Sequence, residues 1–422
     1  MTTASPNERP AGPLAGIRVV EFSHMVMGPS CGMVLADLGA DVIKVEPGPD
    51  GDNTRRLTGA AIGFFPTFNR NKRSLCLDMK SAAGAAVARR LIEGADVVLE
   101  NFRPGAMEKL GFGPDAMIEL NPRLVYCSCK GFLPGPYEHR TALDEVVQMM
   151  SGLAYMTGPP GRPLRAGSSV NDILGGMFAV IAILSTLRER DRTGRGGFVQ
   201  SGLFETNMML VAQHMASVAV EGRDPEPYGD PNMRKPWPLY DVFETAAEGE
   251  QVFVGAVTDS QWRAFCAAFG LEDLARDPAL RSMRQLAEAR PRIRTIVQGV
   301  LRNLSKTELM ARLEHLGLPF APIGRPSDLF DDPHLLASEG LVATEMTAAE
   351  GAASGPARPV AGIPALPLTL TGGRPGLRRQ PPKPGEHGAE VLAELGLSEA
   401  EIADLLAASI VSAPRRTGQE AV

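Results

Sequence analysis

From residue 17 onward the apolar positions fall into two alternating kinds of run. Short, nearly unbroken stretches predict strands at 17–23, 41–46, 74–78, 96–100 and 124–128. Between them, helical spacing appears at 33–39, 82–92 and 114–120. Strands separated by helices mean βαβ crossovers, so the expectation is an α/β fold with a Rossmann-like, mainly parallel sheet. Such a sheet binds ligands in the loops at the carboxyl ends of its strands. Here those loops are 23–29, 46–52, 100–105 and 130–137, and none carries a G-x-G-x-x-G or Walker A pattern. That disfavours NAD and P-loop nucleotides as cofactors.

The most apolar run, Ile173 to Leu187, follows Gly167-Ser-Ser-Val-Asn-Asp172 and stops at the charged stretch 188–196. It is shorter than the ~20 residues a bilayer span needs, so a core helix is expected. Asp172 therefore stands at a helix start, where two readings compete. As a cap it would accept first-turn N–H groups, and the helix dipole would keep it ionised. As a nucleophile it would be exposed among small residues, with Gly175 and Gly176 admitting a ligand to the backbone.

Composition changes at the proline-rich stretch 221–238, which marks a boundary. The expected organisation is a large domain (1–220), a linker (221–238), a small α+β domain (239–320), a proline-rich return segment (321–384) and a terminal part of the large domain (385–422). Within the small domain a hairpin is expected at 240–244 and 251–257, followed by helices near 260–269, 292–301 and 306–316. The return segment reads as chain crossing a surface or wrapping another subunit.

With 43 basic against 49 acidic side chains the formal charge is −6, which gives no electrostatic case for nucleic acid or an anionic membrane as partner. Five cysteines and a polar start at residues 1–13 without an apolar h-region predict reduced thiols and a cytoplasmic location. Cys127 and Cys129 lie two apart in a predicted strand, where alternate residues share a face, so no metal site is expected there. Cations recur near the strand ends: Lys72, Arg73, Lys80, Arg103, Lys109 and Lys130, with Phe102 among them. This pattern suits a nucleotide-like ligand with several phosphates.

Several motifs occur in a fixed order. They are Gly28-Pro-Ser30 with the stretch 35–46, then 69–80, Glu100-Asn-Phe-Arg-Pro-Gly105 and Asn121-Pro-Arg-Leu124. Lys130-Gly-Phe132 with Gly135-Pro-Tyr137, Thr193-Gly-Arg-Gly196 and Gly385-Glu-His387 complete the set. From Pro13 to about Ala408 the chain resembles the class III CoA-transferases, the family of formyl-CoA transferase and carnitine CoA-transferase.

The resemblance implies that Asp172 attacks an acyl-CoA thioester, passing through an aspartyl anhydride and an aspartyl-CoA thioester to a carboxylic acid acceptor. Backbone N–H groups near Gly175 and Gly176 would stabilise the oxyanions. Coenzyme A, as a substrate, would meet Met25, Val26, Leu77, Lys80, Asn101, Phe102, Lys109 and Lys130. His24 and Tyr137 are candidates to contact the acyl group, and Arg140, Arg165 and Arg234 candidates for a second carboxylate, with succinyl-CoA one member of the pair. An interlocked homodimer whose carboxyl terminus rejoins the large domain is also implied.

Two departures qualify this. Residues 229–238 lack the glycine-rich loop of formyl-CoA transferase, which disfavours an oxalate/formate pair. Ala142-Leu143-Asp144 stands where related racemases of 2-methylacyl-CoA have Gly-His-Asp, and without the imidazole racemisation is disfavoured. The remaining alternative is a CoA-binding protein in which Asp172 is only a cap.

Overall fold

The structure is a computed structural model that describes residues 12–230, 233, 235–346 and 358–414. Six parallel strands form the large sheet: β1 (Arg18–Phe22), β2 (Asp41–Glu46), β3 (Lys72–Leu77), β4 (Val97–Glu100), β5 (Val125–Lys130) and β6 (Gly197–Gly202). Their spatial order is 3-2-1-4-5-6, the doubly wound arrangement, so the expected α/β fold is present. The first five strands are buried on both faces, which is why they read as nearly continuous apolar runs rather than alternating ones, interrupted by buried charges such as Glu21, Lys44 and Lys72. Val19 packs into one core and Val20 into the other, as the two-residue strand period requires.

The Asp172 helix spans Val170–Thr193, longer than the apolar run alone predicts. Its length and hydropathy alone would suffice to cross a membrane. Ala179, Val180, Ile183 and Leu187 instead pack into the core against the sheet and the helix Met27–Asp37. Gly175 and Gly176 make that contact possible. A Cβ on Gly176 would lie 2.7 Å from the Met27 carbonyl oxygen and 3.1 Å from the Cys31 nitrogen, and one on Gly175 would lie 2.6 Å from Met27 Cε.

By its contacts the chain divides into two units whose limits differ from the expected domains. The larger unit comprises 1–154, 164–223 and 332–422, and the smaller 155–163 and 224–331. Residues 155–163, read as large-domain sequence, belong with the smaller unit, where the Tyr228 N–H donates to the Met156 carbonyl at 2.8 Å. The smaller unit holds the expected hairpin, β7 (Leu239–Glu244) and β8 (Gln251–Ala256). It adds a third antiparallel strand, β9 (Phe320–Pro322), and has its own core around Phe243, Phe265 and Leu313.

The return segment is not structureless either. It forms an antiparallel pair, β10 (Leu341–Glu345) and β11 (Val360–Pro364), and is then tied back to the large unit. The Arg378 and Arg379 N–H groups both donate to Asn71 Oδ1, and the Arg379 carbonyl accepts from the Asn71 N–H. Beyond it, His387 covers the free edge of β3. Its N–H donates to the Ser74 carbonyl at 3.0 Å, and its Nδ1 accepts the Ser74 N–H at 3.2 Å. The two-residue strand β12 (Val411–Ser412) completes that edge, antiparallel to β3.

Candidate active site

The strand order reverses between β1 and β4, and the loops leaving those two strands are stitched together across the gap. The His24 N–H donates to Asn101 Oδ1 at 3.0 Å, Asn101 Nδ2 donates to the His24 carbonyl at 2.8 Å, and the His24 ring stacks on Phe102. Partial desolvation in this crevice pulls the His24 pKa below its ordinary value. A cleft of about 770 Å³ opens here, lined by Met25, Leu77, Lys80 and Phe102 among the residues expected for CoA and by His24, expected for the acyl group. Of the others, Val26 is buried at the start of the helix Met27–Asp37, and Asn101 links the two loops from beneath. Lys109 is exposed outside the cleft lining.

Buried charges hold these loops in place. Lys44 Nζ donates to the Ser23 carbonyl at 2.6 Å and pairs with Asp52 at 3.0 Å, and Asp52 in turn accepts from both the N–H and the hydroxyl of Thr54. Thr54 Oγ1 then receives the Met25 N–H at 2.9 Å, holding Met25 at φ 62, a left-handed conformation unusual for a non-glycine residue. Asp52 and Thr54 line the cleft beside Ser409 and Ser412 of the carboxyl-terminal region. The Asp52-x-Thr54 turn was within reach of sequence reasoning as a short helix cap. The two serines carried no such signal.

The dispersed cations separate into two groups. Lys72 is wholly buried, with Nζ 2.8 Å from Glu21 Oε2, and burial lowers its pKa to about 8. Arg73 is committed to Asp41, Glu390 and Glu394. Neither faces a ligand, which corrects the sequence reading: both serve to join β3 to its surroundings. Lys130 pairs with Glu100 at 2.7 Å and donates to the Phe102 carbonyl at 2.8 Å, so it braces the loop that carries Phe102. Lys80, Arg103 and Lys109 are the exposed members.

Asp172 is not the cap of its helix. Ser169 holds that position, and Asp172 is the third helical residue. No described residue donates a hydrogen bond to its carboxylate. Nor is the carboxylate held ionised by the helix start. Desolvation first, then the Asp144 and Glu145 charges, raise its pKa to about 7 against the opposing pull of Arg165. The expectation for Gly175 and Gly176 also changes: both lie beyond the first turn, where N–H groups are committed to the helical ladder. Their role in the fold is close packing. That packing seats the turn following Asp172 against Met27, Ser30 and Cys31 of the helix Met27–Asp37, while Asp172 itself is not among the residues lining the cleft.

Of the arginine candidates, Arg140 lies over the Tyr137 ring at 4.0 Å, and Arg165 is ion-paired with Glu145. Arg234 falls outside the described residues. Cys127 and Cys129 share one face of β5 within the same core, and all five cysteines are buried and free. Among the described residues no group of three or more His, Cys, Asp or Glu side chains could hold a metal ion.

A doubly wound sheet with its cleft at the switch point defines the class of protein. Comparison with known proteins narrows it. Residues 14–388 match the model of CoA-transferase family III. An acyl-CoA transferase of Fusarium pseudograminearum is 34% identical over 411 residues, 93% of this chain and 87% of that protein. The succinate–glutarate CoA-transferase of Agrobacterium fabrum is 34% identical across 93% of this chain and 98% of its own. The succinyl-CoA–D-citramalate CoA-transferase of Chloroflexus aurantiacus is 30% identical across 96% and 100%. Among solved structures, a CAIB/BAIF family protein from Brucella suis superposes with a TM-score of 0.77 at 30% identity, covering 91% of this chain and all of that one. The chain belongs to CoA-transferase family III, and it is a class III CoA-transferase.

Proposed function

We propose that the enzyme moves CoA from succinyl-CoA to a second carboxylic acid, with Asp172 carrying the acyl group and then the CoA. An Asp172 oxygen attacks the thioester carbonyl and expels CoA thiolate, leaving an acyl-aspartyl anhydride. The thiolate attacks the aspartyl carbonyl and releases succinate, leaving an aspartyl-CoA thioester. The acceptor carboxylate then displaces the thiolate to form a second anhydride, and thiolate attack on its acyl carbon frees the new acyl-CoA and Asp172. Each intermediate stays activated, so no ATP is needed, and exclusion of water preserves both.

The observation that carries this reading is a poorly solvated carboxylate with no hydrogen-bond donor among the described residues, a costly arrangement that contributes nothing visible to the fold. CoA is assigned to the switch-point cleft, with Phe102 against the purine and Lys80 and Lys109 toward phosphates. The relatives that act on succinyl-CoA with glutarate or D-citramalate acceptors support a dicarboxylate pair. Arg165 is the residue we assign to the distal carboxylate, its Glu145 pairing giving way to the substrate. The bare apolar side chains Ile181, Met209, Met215 and Val220 suit the homodimer the resemblance implies, and the five free thiols suit a cytoplasmic setting.

The test is mass spectrometry of the protein after mixing with succinyl-CoA, with hydroxylamine as the trap. An adduct on the peptide containing Asp172, absent from Asp172→Ala, is expected. Full CoA exchange by Asp172→Ala would overturn the assignment. Arg165→Gln should raise KM for dicarboxylates by about tenfold, the worth of one charge-assisted hydrogen bond, and leave monocarboxylates unchanged.

A further inference from the structure

The Asp172 helix begins without a cap of its own, because the Ser169 side chain makes no capping bond. Its first-turn donors are satisfied from elsewhere. Asp144, the first residue of the helix Asp144–Met150, accepts the Asn171 N–H at 2.8 Å and the Asp172 N–H at 3.1 Å, both on Oδ2. The Val170 and Ile173 N–H groups go to the carbonyls of Ser168 and Ser169. Asp144 is 4% exposed and its second oxygen accepts from Gln148 Nε2. Gln148 Oε1 in turn accepts the Ala166 N–H at 2.8 Å, tying down the segment that leads into Asp172.

An acidic residue in the first turn of a helix ordinarily folds back onto free N–H groups. Here the N–H groups of Val170, Asn171, Asp172 and Ile173 are already taken.

We infer that Asp144 is a positioning residue for CoA transfer: its buried carboxylate occupies two of the helix-start N–H groups, those of Asn171 and Asp172, and so helps leave the Asp172 carboxylate unbonded and available to the thioester. The inference rests on Asp172 being the nucleophile.

The surrounding charges sharpen it. Three charged groups act on Asp172: Asp144 and Glu145 from one helix, and Arg165 from the loop before Asp172. Glu145 and Arg165 pair with each other and largely cancel. Asp144, whose hydrogen-bond partners are neutral amides, remains as the uncompensated neighbour. Removing its charge therefore lowers the pH at which Asp172 becomes anionic, a readout that a purely structural cap would not move.

Asp144→Asn tests this, because it keeps an acceptor oxygen for the helix start and removes the charge. The measurement is kcat/KM for succinyl-CoA between pH 5 and 9. A carboxylate titrating at about 7 is roughly one-tenth ionised at pH 6, so wild type should show a pH 6 to pH 8 activity ratio of about 0.1. A downward displacement of about one pH unit in the variant brings that ratio to about 0.5. Gln148→Ala disturbs the same network without changing charge and should leave the inflection in place. Asp144→Ser, a neutral residue that also caps helices, is the second variant if Asp144→Asn does not fold.

An inflection at the wild-type position in the folded neutral variants would overturn the inference, as would an equal displacement in Gln148→Ala. Absence of an Asp172 adduct in wild type is a separate outcome that defeats the nucleophile assignment itself.

Discussion

Replacing Asp172 by Asn should make the protein more stable at pH 8 while abolishing CoA transfer. Burial and neighbouring acids raise the Asp172 pKa to about 7, against an ordinary value of about 3.9. The folded state thus holds this proton more tightly than the unfolded chain, so stability falls as pH rises from about 4 to 7. The penalty is absent below pH 4 and complete above pH 7. Three pH units at about 1.4 kcal/mol each set a ceiling of ~4 kcal/mol, and screening at a partly exposed group reduces the expected value to ~2 kcal/mol. Asn has the same shape and no charge to desolvate.

The comparison is made by thermal melting of wild type and Asp172→Asn at pH 5 and pH 8. A gain of ~2–3 °C for the variant at pH 8 is expected, shrinking by more than half at pH 5. A variant less stable than wild type at pH 8, or a difference that ignores pH, would refute the electrostatic reasoning.

Two further substitutions probe the frame around the site. Gly176→Ala should cost ~3 kcal/mol, measured as a fall in melting temperature, because its Cβ would collide with backbone atoms of the helix Met27–Asp37 that cannot retreat. Lys130→Met should cost a similar ~3 kcal/mol by leaving Glu100 buried without its cation, and should weaken CoA binding in calorimetry by releasing the Phe102 loop.

Much of the large sheet was legible because five of its six parallel strands are buried on both faces and appear as short, nearly unbroken apolar runs between helical ones. The strand-end loops followed from that topology, and with them His24, Met25 and Phe102, whereas Leu77 came only from the family resemblance and Lys80 from the run of strand-end cations. The short pieces β9 and β12 were not legible. Two or three residues carry no periodicity, and they become strands only by pairing with an edge that already exists. Lys72 and Arg73 looked like ligand-facing cations because their counter-charges, Glu21 and Glu394, lie 51 and 321 positions away in the chain.

The sequence by itself determined that an acidic residue stands near the start of a long apolar helix, and that a doubly wound sheet gathers its loops at the strand ends, where a cleft opens. These features depend on local pattern and chain order. Only the tertiary structure decided what Asp172 experiences there. A helix start alone would have kept the carboxylate ionised and bonded to its own backbone. Asp144, brought from 28 positions earlier, takes those N–H groups and adds a second buried negative charge. Desolvation and charge proximity depend on which side chains share a space, and residue order alone does not specify that.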